Sequence, residues 1–98
     1  MSCQISSHFA NIYPEVMELK AKHAGSYLQL GLKISYYRKL RGITQEQLAE
    51  KVGLSAAFIG HVEAPNIPKA ISLDTLFDLA DILDIPPYKF LQFDPEDL

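Results

Sequence analysis

The chain has 98 residues, 48% of them apolar and 21% charged, with a net charge of −3. This is one small globular domain rather than a disordered chain, and its short apolar runs leave no candidate membrane span. The N-terminus lacks the basic-then-apolar pattern of a signal peptide, the lone Cys3 allows no internal disulfide, and no Cys/His cluster has metal-ligand spacing, so the expected compartment is the cytoplasm and no cofactor is expected.

Residues 1–13 read as irregular, and Pro14 suits the first position of a helix over about 14–22. Gly25 and Ser26 are expected to interrupt it. A second helix is expected over about 27–41, with Leu30, Ile34 and Tyr37 on one face and Gly42 as its stop. Two short helices follow, at about 44–51 and 55–63, joined by a tight turn at Gly53. Thr44 and Gln47 have capping-box spacing, and Ser55 is a good N-cap for the second of the pair. Gly53 sits where the backbone must turn sharply, at a conformation glycine reaches cheaply. The pair reads as a helix-turn-helix, a common way to place a helix in a DNA groove. Residues 64–71 contain Pro65 and Pro68 and break the helical pattern. Ser72 caps a helix over about 73–83, and the Pro86-Pro87 pair starts a short fifth one ending near Phe90 or Gln92.

Charge divides along the chain. Residues 1–69 hold eight Lys/Arg against five acids, whereas residues 70–98 hold Lys89 against seven acids. The positive part contains the helix-turn-helix, and local field rather than total charge decides where a polyanion docks. Lys33, Lys39, Arg41 and Lys51 are either solvated charges or phosphate contacts. Two helices carry more apolar surface than one core needs. Leu28, Leu32 and Tyr36 lie opposite Leu30, Ile34 and Tyr37, and the helix at 73–83 is apolar nearly all round. The first surplus face can be covered by the N-terminal segment, through Val16, Met17 and Leu19. The second, extended by Tyr88, Phe90 and Phe93, can be covered by a second subunit. Ordinary core packing is the alternative for both.

The pattern Ile34, Arg38, Gly42-Ile43-Thr44-Gln45, Leu48-Ala49, Val52-Gly53-Leu54-Ser55, Ile59, Val62-Glu63 resembles the phage-repressor, Cro-like helix-turn-helix family of the XRE type. The match covers about residues 30–91. It implies an all-α fold, a compact five-helix lambda-repressor-like DNA-binding domain over residues 28–93. An N-terminal extension (1–27) and an acidic tail (94–98) flank it. It also implies binding of double-stranded DNA as a homodimer. By the same resemblance Gln45 contacts phosphate, Ser55 opens the reading helix, and Ala56, Ala57, Phe58, Gly60 and His61 face base edges. Asn66 and Lys69 follow the phosphate backbone, and Arg38 pairs with Glu63. The last assignment also follows from the residues, since two charges beside core positions are better paired than alone.

The chain departs from that family where the groove is read. Paired hydrogen bonds to base edges come from Arg, Lys, Gln or Asn. Here the face carries alanines, a glycine, Phe58 and one histidine, and Ala64-Pro65 replaces the family's basic residue and glycine. Phe58 is either a packing side chain or a contact to thymine methyl groups. His61 is either solvated or a donor to guanine or phosphate. Signatures of catalysis are absent: no phosphate-cradling glycine loop, no nucleophile elbow, no metal-binding HExxH. The reading is therefore a transcriptional regulator and not an enzyme. The alternative is a protein-interaction module that keeps the fold without base readout, with partners meeting the N-terminal extension or the C-terminal helices.

Overall fold

The computed structural model describes residues 18–93. Four α-helices carry the fold: α1 (Ala24–Leu40), α2 (Gln45–Val52), α3 (Ala56–Glu63) and α4 (Leu73–Leu83). A 3₁₀ turn at Ala21–His23 leads into α1, and another at Pro87–Leu91 follows α4. No strand occurs among the described residues.

Most helix boundaries have a local cause. Gly42 takes a left-handed φ of 71° just past α1. Thr44 caps α2 through the expected box: its hydroxyl accepts from the Gln47 N–H at 3.0 Å, and its own N–H donates to Gln47 Oε1 at 2.8 Å. Gly53 ends α2 at φ 74°, and the Leu54 N–H returns to the Ala49 carbonyl at 2.9 Å. Ser55 accepts from the Phe58 N–H at 3.0 Å and Ser72 from the Thr75 N–H at 3.1 Å, which starts α3 and α4. Asp84 ends α4 in the same left-handed region, φ 56°, without being glycine.

Three expectations need correction. Gly25 and Ser26 do not interrupt a helix but lie in the first turn of α1, which begins at Ala24. Glycine weakens a helix by only about 1 kcal/mol, less than the packing of Tyr27 and Leu30 against the core can offset. Of the expected helix over 14–22, residues 14–17 lie outside the described part, 18–20 are not helical, and 21–22 belong to the 3₁₀ turn. The fifth helix is a five-residue 3₁₀ segment. Two prolines at its start and its short length favour that tighter form. The expected acidic tail over 94–98 lies outside the described residues, as does Cys3.

The core draws on every helix: Leu30 and Ile34 from α1, Leu48 from α2, Phe58, Ile59 and Val62 from α3, and Leu76, Leu79 and Leu83 from α4. Phe90 is fully buried, 0% exposed, so it closes the core and does not add to the surface expected of the aromatic end. Its ring meets Tyr37 edge-on at 6.0 Å. Gly31 marks the closest approach of two helices. A Cβ there would collide with the backbone carbonyl of Val62, so only glycine lets α1 cross α3 at this distance.

Candidate nucleic-acid interface

Helix α3 divides lengthwise. Phe58, Ile59, Val62 and Glu63 are buried, while Ser55, Ala56, Ala57 and His61 are exposed and Gly60 is half-buried. Positions 56 and 57 stack below 60 and 61 on one solvent face, as helical spacing requires. Phe58 is not on that face. It is 2% exposed and packs in the core, which corrects its assignment to base edges. The side chain points inward because the helix must bury the row that also holds Ile59 and Val62.

The C-terminal end of α3 is held by a polar cluster. Arg38 donates to Glu63 through Nε at 2.7 Å and a terminal nitrogen at 2.8 Å, and its other terminal nitrogen donates to the Ile43 carbonyl at 2.8 Å. Both residues are buried, 8% and 7% exposed. The hydrogen bonds that Arg38 donates to Glu63 push the Arg38 pKa above its ordinary value, which favours the charged guanidinium. Gln45 joins the cluster, with Nε2 donating to Glu63 Oε1 at 3.0 Å. The side-chain amide expected to meet phosphate is thus bonded inside the protein. What Gln45 offers outward is its position in the first turn of α2, where N–H groups other than the Gln47 N–H capped by Thr44 have no partner within the helix.

Asn66 is exposed in the loop after α3, and Lys69 is half-buried. The loop brings Lys69 back against α3: its Nζ lies 5.7 Å from the centre of the Phe58 ring, a cation–π distance. Lys69 and His61 therefore belong to the surroundings of the same helix. Arg41, one of the basic candidates, turns elsewhere. It donates to the Leu83 carbonyl at 2.7 Å and the Asp84 carbonyl at 3.0 Å, capping the C-terminus of α4. Two of the eight cations in the positive part of the chain, Arg38 and Arg41, thus serve as internal donors. Among the described residues no group of His, Cys, Asp and Glu is placed to hold a metal, and no helix is long and apolar enough to cross a membrane.

A capped helix, a left-handed glycine turn and a second capped helix with one open face are the parts of a helix-turn-helix. The family profile described as helix-turn-helix matches residues 34–90. The chain belongs to the helix-turn-helix family. It is 39% identical over 56 residues to the uncharacterised HTH-type transcriptional regulator YazB of Bacillus subtilis (strain 168), covering 56% of this chain and 77% of that protein. In structure it resembles the restriction-modification controller protein C.AhdI from Aeromonas hydrophila, with a TM-score of 0.64 and 31% identity. That match spans 69% of this chain and 96% of the controller. A hypothetical transcription factor from Neisseria, NHTF, matches with a TM-score of 0.63 and 25% identity over 83% of this chain and 88% of that one. These relatives are described as regulators of transcription or of restriction-modification, not as enzymes.

Proposed function

We propose that this helix-turn-helix protein is a DNA-binding transcriptional regulator that represses by occupying double-stranded DNA in the cytoplasm as a homodimer. The observation that carries the reading is the open face of α3, with Ala56, Ala57, Gly60 and His61 outward while the opposite side is locked into the core. In a major groove these positions face base edges, His61 as the polar donor and the alanines toward thymine methyl groups. Ser55 and the first turn of α2 at Gln45 lie where phosphates approach, and Asn66 and Lys69 flank them. For the homodimer the support is apolar surface: Leu73 is 64% exposed, Phe77 46% and Leu91 53%. Leu73 and Leu91 border one cleft with Tyr27, Ile71 and Phe93. A symmetric contact there would set two copies of α3 about one DNA turn, roughly 34 Å, apart.

Fluorescence anisotropy on a selected duplex and a scrambled one, across a salt series, tests the reading. Lys69→Ala should weaken binding to both duplexes alike and reduce the salt slope by about one unit. His61→Ala should change which duplex is preferred, by about 1–3 kcal/mol at one position. Sedimentation should return about twice the 11.0 kDa chain mass. The second reading, a protein-interaction module, is favoured by a reading face that offers only one side chain able to make a polar base contact apart from the capping Ser55. Absence of binding to any duplex at low salt would select it.

A further inference from the structure

The loop between α3 and α4 carries one large apolar side chain that the core does not take in. Ala70 and Ile71 are buried, whereas Ile67 is 46% exposed and lies outside the core cluster. Its place is set by the path of the loop. The chain leaves α3 at Glu63, turns at Pro65 and Asn66, and runs back beside the helix. By Lys69 it has returned to the level of Phe58, whose ring centre lies 5.7 Å from Lys69 Nζ, more than one turn before the end of α3. Ile67 sits on this returning stretch, between Asn66 and Lys69, the two loop residues placed toward phosphates above.

A single exposed isoleucine is ordinary on a protein surface. This one is distinguished by stiffness and by its neighbours. Pro65 fixes its own φ two residues earlier, and Pro68 directly afterwards holds Ile67 to extended backbone angles. The β-branched side chain has few rotamers to lose. Little conformational freedom is therefore given up when Ile67 is covered, so its burial against a partner carries a low ordering cost. The partner along this edge of α3 has a definite chemistry. Between two phosphates of a DNA strand lies a deoxyribose ring, whose C–H face is the apolar part of the backbone and carries no base identity. The outer side of α3 brings only Ala56, Ala57, Gly60 and His61 to the groove, so a bulky apolar contact has to come from beside the helix.

We propose that Ile67 packs on the deoxyribose rings of the DNA strand bordering α3, an uncharged contact set between the phosphate contacts of Asn66 and Lys69. The inference rests on the DNA-binding reading above and adds to it a contact that is blind to both sequence and salt. Anisotropy of the full chain on the selected and scrambled duplexes, across the same salt series, tests it. Ile67→Ala should weaken binding to both duplexes alike, by about three- to tenfold, as the loss of part of an isoleucine's burial implies. Its salt slope should equal that of the native chain, whereas Lys69→Ala flattens the slope. Ile67→Lys should steepen the slope by about one unit. The urea midpoint of Ile67→Ala should match the native one, because the side chain lies outside the core. Native affinity in Ile67→Ala, a loss confined to one duplex, a flattened slope or a lowered urea midpoint would each overturn the proposal. If Lys69→Ala and His61→Ala still act as expected, the DNA-binding reading survives that failure; if the native chain binds neither duplex at low salt, both fail together.

Discussion

The two sides of α3 make the most instructive comparison in this molecule. The inner side is specified several times over. Apolar residues fill the core, Glu63 is held by Arg38 and Gln45, and the carbonyl of Val62 leaves room only for a glycine on α1. The outer side is nearly featureless, two alanines, a glycine and a histidine. A helix of eight residues has little intrinsic stability and takes its position from what it packs against. The inner side therefore does the aiming, and the outer side is free to be small. In the proposed complex such a face would leave register and orientation on the duplex to phosphate contacts around it.

The comparison can be broken first at its tightest point. Arg38→Ala should destabilise the fold by about 3–5 kcal/mol, because Glu63 would remain buried with only Gln45 to bond it. Urea denaturation of Arg38→Ala, Glu63→Ala and the double variant should show strongly non-additive losses, and additive losses would contradict the coupling. Next come two glycines of α1 that differ only in their surroundings. Gly31→Ala should cost about 1–3 kcal/mol, since α1 and α3 must move apart. Gly25→Ala meets open space and should stabilise by up to about 1 kcal/mol. Equal effects from the two would mean that the α1–α3 crossing is not tight. Arg41→Ala, which releases the carbonyls ending α4, should cost about 1 kcal/mol. The smallest effect on stability belongs to the outer side: His61→Ala should stay within about 0.5 kcal/mol in thermal or urea unfolding while altering sequence preference on DNA.

Much of this arrangement is legible in the sequence because its causes are local. The caps at Thr44, Ser55 and Ser72 bond to residues three positions on, and the turn at Gly53 depends on that residue's own backbone. The Arg38–Glu63 pair spans 25 positions yet is readable, since charges beside core positions need partners and the family pattern places both. What escapes is chosen by tertiary contacts alone. Arg41 is bonded 42 and 43 residues away, where nothing in the spacing points to α4. Gln45 sits at a helix start and reads as a phosphate contact, but its amide finds Glu63 instead. Phe58 shares its helix with so many apolar neighbours that periodicity alone does not decide its face, whereas Ile59 and Val62 beside it show which side is inward. Gly25 and Ser26 look like a break because propensity is read without the packing that overrides it.

The central claim, that the open face of α3 is the part that meets DNA, has a direct measurement. Amide chemical shifts of the ¹⁵N-labelled chain, titrated with a short mixed-sequence duplex at low salt, should move most at residues 55–61, at Gln45 and at residues 66–69, and should return as salt is raised. Shifts confined to the surface of Leu73, Phe77 and Leu91, or no shifts at the lowest salt, would contradict it.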